Sequence, residues 1–239
     1  MTRRISFAAV VILNGLAFGG AAPAQAACSP KTFDGAKFTV CAFDPRHDDI
    51  RLFWNGADGR PYGSLAALAG DLRTKGQRLA FAMNAGMFRE DQSPVGLYVE
   101  KGRRLHDADT RGGGASNFHM KPNGVFWIGD GVAGVTETSR YLAAPPPARY
   151  ATQSGPMLVV DGQLHPRILP TGTSEKIRNG VGVQDSGEVA FAIADEPVTF
   201  DGFVLFESYT AGRHELEKIP GQLKEVFRNE YFARLGAVL

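Results

Sequence analysis

The stretch Val125-Phe126-Trp127-Ile128-Gly129-Asp130-Gly131-Val132 decides how the rest of this chain is read. Four apolar residues of strand type meet a glycine-flanked turn, and an apolar residue resumes at once, which is a β-hairpin signature. The same rhythm recurs three times. Leu97-Tyr98-Val99-Glu100 meets Lys101-Gly102. Met157 to Val160 meets Asp161-Gly162, and Val181-Gly182-Val183 crosses Asp185-Ser186-Gly187 into Val189 to Ile193. Upstream, Ser64 is placed to cap a helix whose apolar residues Leu65, Leu68, Ala69 and Leu72 recur at helical spacing, with Gly76 as its stop. The strand Leu79 to Met83 follows directly. Hairpins and a few helices on one core predict an α+β fold, with a β-hairpin-rich twisted sheet as its centre. Pro145-Pro146-Pro147 reads as a rigid surface connector. Leu223, Val226 and Phe227 suggest an amphipathic helix in a charged tail spanning 206–239.

Residues 1–26 read as a signal peptide rather than as fold. Arg3 and Arg4 form a positive start, Ile5 to Leu13 is mostly apolar, and Ala24-Gln25-Ala26 offers a small-residue cleavage pattern. The apolar run is shorter than the roughly 20 residues of a membrane helix, and no transmembrane segment is expected after its removal. Gln25-Ala26-Ala27-Cys28 lacks the Leu of a lipoprotein signal. Removal of Arg3 and Arg4 with this leader shifts the formal net charge from +1 to −1. That balance and the absence of a basic run argue against a nucleic-acid partner. A hydrophobic content of 44% with 21% charged residues is that of one ordinary globular domain. The even pair Cys28 and Cys41 in an exported chain predicts a disulfide, adding about 3 kcal/mol by restricting the unfolded chain. The expected location is periplasmic or secreted.

Several site types are excluded by pattern. Ala151-Thr152-Gln153-Ser154-Gly155 is not a nucleophile elbow, and Gly112-Gly113-Gly114 lacks the strand and spacing of a dinucleotide loop. His47, His106, His119, His165 and His214 form no H-x-x-x-H pair, so no metal site is expected. What remains is a set of polar residues beside glycine at the ends of apolar strands: Asn84 in AFAMNAGMFRED, and Asn117, Lys121 and Asn123 in SNFHMKPNG. Gln153 and Ser154 in ATQSGPMLV and Arg178 and Asn179 in IRNGVGV complete it. Glycine permits close backbone approach, and a strand end holds a side chain steady. Asn84, Gln153, Ser154 and Arg178 are therefore expected to share one cleft, with Ile177 on the core side. Glu90 and Asp91 are candidate acid/base groups, the alternative being a solvated loop.

AFAMNAGMFREDQSPVGLYVEKGR, NFHMKPNGVFW, ATQSGPMLVVDGQLHP and KIRNGVGV together resemble the bacterial branch of the phosphodiester glycosidase family, relatives of N-acetylglucosamine-1-phosphodiester alpha-N-acetylglucosaminidase. The family's Asn-Gly-Gly-Phe-Phe pattern corresponds to Asn84 through Phe88, its Ser-Gly-Pro strand entry to Ser154-Gly155-Pro156, and its Arg before a glycine-rich strand to Arg178. The resemblance implies an exported hydrolase that cleaves a sugar-1-phosphate diester, needs no cofactor and occupies residues 27–205. It implies catalytic roles for Asn84 and Arg178, with Arg178 as a phosphate clamp, while Glu90 and Asp91 are catalytic candidates from their place after the Asn84 turn. Contacts to a glycosyl phosphodiester or envelope glycan would come from Asn117, Lys121, Asn123, Gln153, Ser154, His165 and Asn179. Relatives carry a late Leu-Asp-Gly segment, whereas no Asp follows Asp201 here and the chain departs from the pattern after about Val204. A non-catalytic glycan- or envelope-binding protein on the same scaffold is the alternative.

Overall fold

The computed structural model describes residues 9–14, 27–113, 116–161, 163–165, 167–168, 173–200, 202–203 and 236–238. Among the described residues the fold is β-rich and includes the α-helices α1 (Leu65–Thr74) and α2 (Thr138–Ala143), which is loosely the α+β arrangement expected. The sheets are antiparallel throughout the described strand pairs. One small sheet has the order β4 (Asp49–Phe53), β1 (Ala9–Asn14), β5 (Arg78–Asn84). A second runs β7 (Arg103–His106), β6 (Tyr98–Glu100), β10 (Tyr150–Ser154), β8 (Gly124–Ile128), β9 (Ala133–Glu137). A third runs β15 (Gly236–Val238), β13 (Asn179–Val183), β14 (Val189–Ala194), β3 (Ala36–Phe43), β2 (Ala27–Phe33). β11 (Val159–Val160) and β12 (Gln163–Leu164) form a separate hairpin.

All four hairpins read from the sequence are present. In the first, Lys101 and Gly102 both take positive φ, 52° and 75°, the twist that a two-residue turn needs to match its strands. α1 follows its sequence signals closely. Ser64 accepts from Ala67 N at its start, Leu68 and Leu72 are the buried residues, and Gly76 follows with φ of 71°.

The core is aromatic and joins the sheets. Phe191 of β14 sits 5.3 Å from Phe81, 6.0 Å from Phe43 and 6.0 Å from Phe126, ring centre to ring centre. Val189 and Phe191 belong to this cluster, while Ala192 and Ala194 join a second one with Phe33, Phe38, Leu158 and Phe203. β14 is thus packed on both faces, which explains why it reads as an unbroken apolar run.

Of the expected leader, the structure describes Ala9–Asn14, and these residues form a strand between β4 and β5. The tail helix expected around Leu223, Val226 and Phe227 lies outside the described residues. Gly236–Val238, within that tail, is an edge strand beside β13. Cys28 and Cys41 face each other across β2 and β3 and form the disulfide, with Cα atoms 4.0 Å apart.

Thiol labelling of native protein without reductant should therefore find no reactive cysteine. The paired Cys28→Ala, Cys41→Ala variant should lose about 3 kcal/mol of stability in a denaturant titration.

Candidate functional site

β5 carries its apolar residues inward and ends at Asn84, after which the chain must turn sharply. Gly86 makes that turn with φ of 88° and lies against β10, where a Cβ would stand 3.0 Å from Thr152 Oγ1 and 3.1 Å from Gln153 O. Only glycine meets both demands. Thr152 Oγ1 donates to Ala85 O at 2.9 Å, tying the end of β5 to β10. Two residues on, Ser154 ends β10, and Gly155 packs so tightly that a Cβ would fall 2.7 Å from Phe118 O. From a third direction β13 begins at Asn179, whose amide Nδ2 donates to Asn84 Oδ1.

Three strand ends thus converge on a small cleft open to solvent. Its walls are Met83, Asn84, Ala85, Gly86, Phe126, Thr152, Ser154, Asn179, Gly180, Val181 and Phe191. The aromatic core forms the floor, and amide and hydroxyl groups supply the polar contacts, the usual composition of a small-molecule site. Among these eleven wall residues none is charged. The cleft can orient hydroxyl or phosphate oxygens by neutral hydrogen bonds.

Of the expected cleft residues, the structure brings together Asn84, Ser154 and Asn179. Gln153 sits elsewhere, because neighbours on a strand face opposite ways. Its side chain is buried on the other face of β10, with Oε1 accepting from Leu97 N (3.0 Å) and Asp109 N (2.9 Å) and Nε2 donating to Asp109 O (2.8 Å). Arg178 is likewise not among the wall residues. Its Nε donates to Val198 O (3.1 Å), its Nη2 to Ser174 O (2.7 Å), and its guanidinium stacks 4.9 Å from the Phe200 ring centre. Ile177, expected in the core, is 54% exposed. Strand alternation cannot be carried back to it, because β13 starts only at Asn179 and Lys176 makes just an isolated bridge to Val198.

The other candidates are spread around this centre. Glu90 and Asp91 are exposed in a turn closed by Arg89 N to Ser93 O, and Asp91 is held below the usual carboxylate range by hydrogen bonds from Ser93. Asn117 opens a short 3-10 helix (Asn117–His119), and Lys121 Nζ donates to Thr110 O at 2.7 Å. Asn123 is fully buried and donates to Phe118 O, and burial pushes the pKa of His165 down. None of these lines the cleft.

Two contributors escaped the sequence reading. Thr152 could have been found by stepping back two residues from Ser154, since the pair shares a strand face. Asp109 is buried beneath Gln153, where hydrogen bonds from Arg111 hold its carboxyl well below the ordinary range against the opposing effect of burial. His119 Nε2 is 3.3 Å from the same carboxylate. The local signal for Asp109 was its spacing of two from Arg111, whose N donates back to Asp109 Oδ1 at 3.0 Å.

Residues 77–207, which include every strand end of the cleft, match the sequence model of a family described as phosphodiester glycosidase. A relative from Escherichia coli (strain K12), uncharacterized protein YigE, is 31% identical over 201 residues. The match spans 84% of this chain and 77% of the relative.

Gly86→Ala should destabilise the protein by about 1–3 kcal/mol through backbone strain alone, seen as a lower denaturant midpoint. Asp109 makes a pH-dependent contribution. Because its folded pKa is depressed, its stabilisation is complete above about pH 4 and fades as the pH falls further. Asp109→Asn should cost on the order of 1 kcal/mol at pH 7, after allowing for solvent screening of Arg111. The gap from wild type should narrow in titrations run toward pH 2.

Proposed function

The chain belongs to the phosphodiester glycosidase family, and we propose that it hydrolyses a sugar-1-phosphate diester to free sugar and a phosphate monoester. The observation that carries this reading is the convergence of Asn84, Ser154 and Asn179 on one concave cleft from three strand ends. Breaking the sugar C1–O bond builds positive charge on the ring and negative charge on the departing phosphate. A phosphate is stable as an anion, so it leaves with its electron pair without needing a strong general acid. Water then adds at C1, and its proton passes to solvent. In this reading the linked amides of Asn84 and Asn179 grip sugar hydroxyls or phosphate oxygens. Ser154 offers a hydroxyl beside them, and Phe126 and Phe191 exclude water from below.

Arg178 takes a different role from a phosphate clamp. Its contacts to Ser174, Val198 and Phe200 hold the approach to β13, so it positions Asn179. The reading extends to an exported protein, supported by the leader-like segment and by the cystine, a bond favoured in oxidising compartments.

One observation favours a second reading. The cleft walls carry neither a carboxylate nor a cation among the described residues. A non-catalytic glycan-binding protein would use the same amides for recognition alone.

The deciding measurement is hydrolysis of a sugar-1-phosphate diester by wild type, with binding followed in parallel. Turnover by wild type and a loss of about tenfold or more in Asn84→Ala or Asn179→Ala, equivalent to at least ~1.4 kcal/mol, support the hydrolase. Binding without turnover selects the glycan-binding reading, and turnover unchanged in both variants overturns the assigned cleft. Arg178→Lys should lower thermal stability as well as activity.

A further inference from the structure

We propose that a second pocket, on the same sheet face as the cleft, binds a neutral sugar ring, so that the ligand of this protein is an oligosaccharide rather than a single sugar. The pocket is open to solvent and lies where the end of β9, the start of α2 and the β11–β12 hairpin meet. Val135, Met157 and Val159 form its apolar wall, and Glu137, Arg140 and Asp161 supply polar groups.

Strand register ties the pocket to the cleft. Thr152 of β10 stands opposite Phe126 of β8, and Phe126 stands opposite Val135 of β9. Residues directly opposite one another share a face of the sheet, so this row runs from two walls of the cleft to a wall of the pocket. The next row on that face is Ser154, Gly124 and Glu137. Ser154 and Glu137 are therefore two strand spacings apart, roughly 10 Å. Gly124 adds no side chain between them.

The chemistry of the pocket selects its ligand. Arg140 turns both Nη atoms to Asp161, Nη1 donating to Oδ1 at 2.8 Å and Nη2 to Oδ2 at 2.9 Å. Glu137 Oε2 accepts from Arg140 N at 3.0 Å. Two carboxylates against one guanidinium leave these groups with a net negative charge. A phosphodiester is an anion that offers acceptors alone, and an ionised carboxylate has no proton to donate to it. A sugar hydroxyl both donates and accepts, and the CH face of a ring suits the apolar wall. Apolar walls with a few convergent polar groups are the usual composition of a small-molecule site.

The same charge orients the ligand. Repulsion from Glu137 and Asp161 keeps the phosphate at the Asn84–Asn179 end of the cleft. The sugar then extends past Ser154 toward the pocket, and the second ring is joined through a hydroxyl of the first rather than through the phosphate. The ligand class is an oligosaccharide 1-phosphate diester. This orientation rests on the proposed function, while the sugar pocket does not.

The test compares the methyl diester of N-acetylglucosamine 1-phosphate with disaccharide analogues, each extended at a different hydroxyl of that sugar. In wild type, one analogue should have a KM lower than that of the short diester by about tenfold or more, as added binding predicts. Two variants, checked for folding by thermal melts, should bring that ratio to about one. Val160→Trp fills the pocket, which Val160 also lines. Asp161→Asn removes the partner of Arg140. The pair is largely exposed and adds little stability, and Asn tolerates the φ of 49° at this turn. Val160→Ile should keep the preference.

No preference for any extended analogue in wild type overturns the proposal, as does a preference kept in both folded variants. If no diester is bound or cleaved, the functional reading has failed, and the phosphate-free disaccharides still decide the pocket by amide shift titration. Shifts at 135–140 and 157–161 in wild type that vanish in Val160→Trp support it, and their absence in wild type overturns it. Inorganic phosphate producing the same shifts would overturn the assignment to a neutral sugar.

Discussion

The close approach of the Ala85–Gly86 backbone to β10 is the constraint on which the site depends. Thr152 reaches across to Ala85 O, and Gly86 occupies a space that would not admit a side chain. That joint sets the end of one strand beside the end of another from a different sheet. Asn84 and Ser154 can then face a common space, and Asn179 completes it through its amide contact with Asn84. A rigid joint of this kind places polar groups before any ligand arrives, so little ordering remains to oppose binding.

Beneath the joint, the molecule separates two tasks by strand parity. On the cleft side, β10 presents Thr152 and Ser154. On the other side Gln153 satisfies buried main-chain groups of Leu97 and Asp109, and Asp109 in turn is held by Arg111 and His119. The charged network thus braces the sheet from behind, while the cleft itself remains neutral among its described walls. Phe191 links the halves, touching ring systems from β3, β5 and β8 and lining the cleft floor. Packing and recognition are therefore parts of one continuous surface.

The small sheet adds a dependence of another kind. β4 and β5 are far apart in sequence from β1, yet their hydrogen-bonded pairing in the described structure passes through it. A segment that reads as a leader by composition also has the composition of a buried strand, because both environments select apolar residues. Sequence pattern alone cannot separate the two uses.

What the sequence determined by itself was local. Lys101-Gly102 and the three other turns announced their hairpins, and Ser64 with Leu68 and Leu72 announced α1, because turn dihedrals, caps and amphipathic spacing are written in neighbouring residues. Cys28 and Cys41 announced a bond that antiparallel register then delivered. Asn84, Ser154 and Asn179 were legible as polar strand ends beside glycine. Tertiary structure decided which of these ends meet. It turned Gln153 away from Ser154 by strand alternation, drew Arg178 onto Phe200 and two carbonyls, and buried Asp109 under Gln153. Those choices depend on where each strand begins and on what lies across the sheet. Apart from Ser174, four residues from Arg178, such partners are about 20 to 44 residues away along the chain, and contact at that distance is set by packing rather than by local pattern.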